Sequence, residues 1–98
     1  MKSKYHNDEF YRNLLVGFVS DLPITVAQIN DALRDQEYKA AESLTHRLAG
    51  TAATYGYPEL AKTLVELEKL LKAGQNQSSY PGLMTIVEDY VKSIREAL

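Results

Sequence analysis

The sequence predicts an all-α protein, arranged as an antiparallel up-and-down four-helix bundle with an additional short N-terminal helix. Apolar residues recur every three or four positions, and period-two alternation of β-branched residues is nowhere sustained. Short connections that contain glycine or proline lie between these periodic segments. Helices joined by such tight turns pack as antiparallel neighbours. A chain of 98 residues builds one small core, so we expect residues 1–98 to form a single domain.

The N-terminal third of the chain predicts two helices that meet at Asp21-Leu22. The first runs from about Asn7 to Ser20 and carries a narrow apolar stripe. Asp21 is placed to cap the second helix, and Pro23 suits its first turn. The first of these two helices is the additional short N-terminal one, which we expect to lie across the bundle.

Three further helices follow. Asp35 can cap a helix that continues to Gly56, a residue type that often ends helices in the left-handed conformation. Because proline is favoured in a first helical turn, the next helix is expected over Pro58 to Ala73, ending at Gly74. The last helix begins near Ser79 to Pro81, after the longest loop of the sequence. No internal repeat and no low-complexity tract interrupts this plan.

Composition excludes several classes of function. The formal net charge of -2 comes from interspersed charges of both signs, which leaves no basic face for nucleic acid. There are no cysteines, so disulfides and cysteine-based zinc sites are excluded, and the two histidines are too far apart in sequence for a credible metal site. The N-terminus lacks the apolar core of a signal peptide, and no apolar run approaches a membrane span. We therefore expect a cytoplasmic protein, and Met1 favours a free-standing one.

One histidine, His46, stands just before a run of small residues in "AESLTHRLAGTAATYGYPEL". A helical projection places the core behind this histidine. Its own side of the helix carries the residues at spacings of three, four and seven: Lys39, Glu42, Ser43, Ala49, Gly50 and Ala53. Glycine inside an exposed helix costs up to about 1 kcal/mol relative to alanine, so Gly50 needs another explanation. It either uncovers the imidazole for a partner or allows close packing of a neighbouring helix.

A carboxylate is expected beside this imidazole. Two antiparallel helices that meet at Gly56 bring His46 and Glu68 to nearly the same height, about 15 and 18 Å from the turn. A carboxylate on Nδ1–H would leave Nε2 unprotonated and outward as a nucleophile. Without further information, an incidental surface histidine and an ordinary surface glutamate explain the same residues.

The segment "THRLAGTAATYG" resembles the phosphoacceptor motif of histidine-containing phosphotransfer (HPt) domains, roughly H-x-L-K-G-x-x-x-x-x-G. His46, Leu48, Gly50 and Gly56 match, and Glu68 stands where the family usually places a glutamine or glutamate that bonds the inner nitrogen of the histidine. The helix order resembles the family over nearly the whole chain. The resemblance implies a phosphoryl carrier of a two-component multistep phosphorelay, with no ATP binding or kinase activity and no cofactor of its own.

The same resemblance implies which partners and residues are involved. The partners would be response-regulator receiver domains, which would hold the Mg²⁺, and a hybrid sensor histidine kinase, with this chain a monomer. His46 would be the phosphoacceptor and Glu68 its orienting residue, while the partner-binding residues would be Arg47, Gly50, Ala53, Ser43 and Lys39. Many HPt domains have a lysine three residues after the histidine, where this chain has Ala49. That departure favours the alternative of a non-phosphorylated helical adaptor that binds receiver domains. A small enzyme with His46 as general base would need an enclosed pocket, of which the sequence shows no sign.

Overall fold

A computed structural model describes residues 9–74 and 77–98, and these residues form four α-helices joined by short connections. The helices are α1 (Glu9–Arg34), α2 (Tyr38–Thr54), α3 (Pro58–Ala73) and α4 (Tyr80–Ala97), and a single 3-10 turn, Gln77–Ser79, leads into α4. The described residues contain no strand. The predicted all-α class is confirmed.

The helices pack around one apolar core in a closed order. The most extensive packing is between α2 and α3, while α1 contacts α2 and α4, and α3 contacts α4. Asn30 donates a hydrogen bond to Glu88 across the α1–α4 contact, at 2.9 Å. Each of the four helices therefore contacts two others. The largest fully buried apolar side chains are Leu22, Ile29, Leu60, Leu64, Leu67, Met84 and Val87. Within the described ranges, no helix is long and apolar enough to cross a membrane.

A separate short N-terminal helix is not found among the described residues. The predicted break at Asp21-Leu22 lies inside α1, which continues through Pro23 to Arg34. Proline in a helix interior costs about 3 kcal/mol, since it removes one backbone hydrogen bond and crowds the preceding turn. The buried stripe of α1 crosses the proline without interruption, with Val19 and Val26 on either side. Burying each such side chain contributes about 1.5–3 kcal/mol, so packing outweighs the local cost.

Backbone conformation at the helix ends agrees with three predictions and corrects a fourth. Gly56 has φ +85°, and Tyr57 N–H donates to the carbonyl of Ala52, as in a Schellman motif. Gly74 ends α3 in the left-handed conformation, and Pro58 occupies the first turn of α3. Asp35, however, does not cap α2, because Glu37 is the residue at its N-terminus and makes no side-chain capping bond.

The turn between α2 and α3 is held against α1 by aromatic side chains. Phe18 stacks on Tyr55 at 4.8 Å and on Tyr57 at 6.1 Å between ring centroids, and Tyr11 lies 6.1 Å from Tyr55. Burial raises the pKa of the Tyr57 hydroxyl, and the nearby Tyr11 adds to the shift. These contacts fix the position of the Gly56 turn relative to α1.

Candidate functional site

His46 lies at the midpoint of α2 and points its side chain into solvent. Its side chain is 71% exposed, whereas the preceding Thr45 is fully buried and Leu48 is buried beside it. The Thr45 hydroxyl donates to the carbonyl of Ala41 one turn earlier, which satisfies this buried polar group inside the helix. The packing of these neighbours therefore fixes the rotation of α2 that exposes His46.

Glu68 approaches the histidine from α3. Its Oε2 atom lies 2.9 Å from His46 Nδ1, so the contact expected from the register of the two helices is present. The Glu68 side chain is only 11% exposed, which contrasts with the open imidazole. A carboxylate accepts hydrogen bonds and does not donate them, so the proton of this bond belongs to Nδ1. In the neutral ring, Nε2 then has a free lone pair directed away from Glu68.

A third side chain contacts the same carboxylate oxygen. The Nζ atom of Lys72 lies 3.4 Å from Glu68 Oε2, four residues further along α3. Sequence reasoning did not identify Lys72. The sequence does contain an indication of this contact, because Lys72 follows Glu68 by four residues. That spacing places both side chains on one face of a helix, and a glutamate before a lysine is the more favourable order.

The surface of α2 around His46 is open, as predicted for four of the five proposed partner-binding positions. Gly50 and Ala53 are exposed on the C-terminal side of the histidine, and Ser43 and Lys39 are exposed on its N-terminal side. A Cβ atom built on Gly50 would meet no atom within 4 Å, which excludes close packing of a neighbouring helix as the reason for this glycine. The surface of α2 on the C-terminal side of the imidazole therefore carries no long side chain at positions 50 and 53.

Ala49 corrects the sequence-based assignment of this face. It was placed on the exposed side with His46, but it is only 6% exposed and belongs to the core. The helical projection assumed a single neighbour behind α2, whereas α2 packs against both α1 and α3. The buried sector is therefore wide enough to include Ala49. A lysine at this position would have to emerge from the packed surface of α2.

Arg47, the fifth proposed partner-binding residue, is exposed but lies on a different side of α2 from Glu68. It lines a shallow groove between α1 and α2, together with Leu14, Phe18, Leu44 and Thr51. The Arg47 side chain is therefore directed to the groove beside α1. Groups of three or more His, Cys, Asp or Glu side chains that could hold a metal ion do not occur in residues 9–74 and 77–98.

Comparison with known proteins identifies one family. The family model described as "Hpt domain" matches residues 13–97, which include all of α2, α3 and the residues of the site. Neither a curated protein nor a solved structure gives a significant match to the chain. Because the family model covers most of the sequence, the chain belongs to the Hpt domain family, whose members are phosphocarriers that work with receiver domains and kinases in two-component phosphorelays through a phosphohistidine.

Proposed function

We propose that this chain is an up-and-down four-helix phosphoryl carrier that accepts and donates a phosphoryl group on Nε2 of His46. The observation that carries the proposal is the contact of 2.9 Å between His46 Nδ1 and Glu68 Oε2, made by an imidazole that is otherwise open to solvent. The contact supports a proton on Nδ1, and under this proposal Nε2 is the nucleophile. The histidine also occupies the phosphoacceptor position of the HPt motif.

The transfer step needs little from this chain beyond positioning and charge. The lone pair of His46 Nε2 attacks the phosphorus of an aspartyl phosphate, and the Nε2–P bond forms as the P–O bond to the aspartate breaks. The aspartate leaves as a carboxylate, and the Nδ1 proton remains in its bond to Glu68. The ring therefore gains positive charge during the transfer, and the adjacent carboxylate stabilises that charge. Donation to a second aspartate is the reverse of this step.

The partners that fit this site are receiver domains, including one within a hybrid sensor histidine kinase. An in-line approach to Nε2 requires that the partner's phosphorylated loop reach the ring without obstruction. Gly50, which has open space beside it, and the exposed Ala53 leave that approach clear. The acidic residues and Mg²⁺ used in the transfer belong to the receiver domain, and we expect a single copy of this chain in the complex.

Incubation with a phosphorylated receiver domain and Mg²⁺ tests the proposal. We expect a phosphoryl label on the wild-type chain that is lost in acid and stable in base, and we expect His46→Gln to abolish it. The chain's second histidine provides the matched control, because His6→Gln makes the same chemical change and should keep the label. Absence of label from the wild type with every cognate receiver, or label that persists in His46→Gln, would refute the carrier function.

A receiver-binding adaptor without phosphorylation is the second candidate. The observation that favours it is Ala49, which supplies no cation where many HPt domains have a lysine. Under this alternative, a receiver domain binds the chain with equal affinity whether residue 46 is histidine or glutamine, and no label is transferred. Binding measurements on the same two proteins therefore distinguish the adaptor from the carrier.

A further inference from the structure

The carboxylate of Glu68 is shared by two exposed nitrogen atoms. His46 Nδ1 and Lys72 Nζ lie 2.9 and 3.4 Å from the same oxygen, Oε2. The two nitrogens are therefore no farther apart than these two distances combined. The Lys72 side chain is 60% exposed, so its ammonium group is open to solvent and to any molecule that approaches the imidazole.

Lys72 limits the positions that Glu68 can adopt. A glutamate side chain has three rotatable bonds, and although packing leaves Glu68 only 11% exposed, a single hydrogen bond does not by itself fix the direction of its carboxylate oxygens. The second contact acts on the same oxygen from the next turn of the same helix. Swinging Oε2 away from His46 would then break an ion pair as well as a hydrogen bond, so Lys72 holds the carboxylate in its contact with the imidazole.

Lys72 also changes the charge around the imidazole. A phosphoryl group on Nε2 brings about two negative charges to a place where Glu68 already carries one, and Glu42 lies one helical turn before the histidine. Ala49 contributes no positive charge, and Arg47 is directed to the groove beside α1. Of the lysine and arginine side chains in the described ranges, only Lys72 makes an ion pair with the carboxylate that contacts His46.

We propose that Lys72 is a positioning residue of the His46 site. It holds Glu68 against the imidazole and provides, from α3, the positive charge that a lysine at the position of Ala49 provides in many HPt domains. The inference rests on the proposed carrier function, because the charge matters only when a phosphoryl group arrives. Its positioning part concerns the unphosphorylated protein and is measurable without any partner.

Two measurements on the full chain test the inference, with variants Lys72→Gln, Lys72→Arg and the control Lys69→Gln. Lys69 has the same charge on the same helix but makes no ion pair with Glu68 within 4 Å. The first measurement is the Nδ1–H tautomer population of His46, read from imidazole ¹⁵N chemical shifts at a pH where the ring is neutral. We expect Lys72→Gln to lower it, and Lys72→Arg and Lys69→Gln to leave it as in the wild type.

The second measurement is the rate of phosphoryl transfer from a phosphorylated receiver domain, together with the half-life of the phosphohistidine. Since an exposed or half-buried ion pair contributes up to about 1 kcal/mol, Lys72→Gln should slow the transfer about fivefold and shorten the half-life, and Lys72→Arg should restore both. Equal tautomer populations and equal rates in Lys72→Gln and the wild type would overturn the inference while leaving the carrier function intact. If the wild type takes no phosphoryl group, the carrier function fails, and an unchanged tautomer population in Lys72→Gln would separately overturn the positioning role.

Discussion

Replacing Gly50 should raise the stability of the protein and at the same time reduce the access of a partner to His46. A Cβ atom at this position meets nothing within 4 Å, so Gly50→Ala introduces no clash. Replacing glycine by alanine within a helix stabilises it by about 0.5–1 kcal/mol. For a chain of this size, that change raises the Tm by about 2–8 °C. Circular dichroism melts of the two proteins would measure the difference.

A side chain at position 50 should also impair phosphoryl transfer to and from His46. A helical side chain covers the turn on the N-terminal side of its own Cα, so a side chain at position 50 extends toward His46. Gly50→Gln should therefore obstruct the approach of a receiver domain. A displacement of about 1 Å at the reacting atoms can cost about a hundredfold in rate, and we expect a loss of at least about tenfold, with a smaller loss for Gly50→Ala.

The control is Gly82→Gln, because Gly82 is an exposed helical glycine with open space beside it on α4. This variant should transfer phosphoryl groups at the wild-type rate. If Gly50→Gln is as fast as the control with every receiver domain that phosphorylates the wild type, Gly50 does not serve to clear the surface beside the histidine.

Three other perturbations have outcomes that follow from the structure. Glu68→Ala should slow phosphoryl transfer about tenfold or more. Glu68→Gln should slow it only about fivefold, because an amide oxygen still accepts the Nδ1 hydrogen bond but carries no charge. Rapid-quench transfer rates that do not follow this order would show that Glu68 does not act on the ring. Gln36→Gly should raise the free energy of unfolding, measured in urea, by about 0.5–1 kcal/mol. Gln36 has φ +61°, a left-handed conformation that is strained for glutamine and unstrained for glycine. An unchanged or lower urea midpoint in the variant would contradict this. Burial raises the pKa of the Tyr80 hydroxyl, so the folded chain keeps this proton at pH values where the unfolded chain has lost it. The stability contributed by this group should therefore be intact below about pH 10 and decrease as the pH rises further. Thermal melts at increasing pH should show a smaller decrease in Tm for Tyr80→Phe than for the wild type. An equal decrease in both proteins would show that other groups cause the loss of stability.

The end of α2 and both ends of α3 were predictable from sequence because single residues determine them. Gly56 and Gly74 adopt the left-handed conformation that only glycine enters at no cost, and Pro58 stands where a helix begins. The continuity of α1 was not predictable in the same way. Asp21 and Pro23 form a good local start signal, and only the burial of the stripe on both sides of them shows that the helix continues.

The contact between His46 and Glu68 was predictable because a very short turn leaves little freedom in the register of two antiparallel helices. The burial of Ala49 was not, since it depends on how many neighbours α2 has, and the sequence of α2 alone does not report that number. The contact between Lys72 and Glu68 was predictable from the spacing of four residues between them on one helix. It was missed because a lysine four residues after a glutamate is common on solvent-exposed helices and indicates a site only once the histidine is seen to share the carboxylate.

The proposed site residues His46 and Glu68 come from α2 and α3, and the contact between them explains how an exposed histidine is held in one orientation. His46 has no buried surroundings to fix its ring, so its orientation depends on one bond across the boundary between the two helices. That boundary is the most extensively packed of the structure, and Phe18 of α1 stacks on Tyr55 and Tyr57 at the turn that joins the two helices. Rigid helices place donor and acceptor more accurately than loops do. The imidazole can therefore be open to a partner on Nε2 and ordered on Nδ1 at the same time, which is the combination that transfer between two different receiver domains requires.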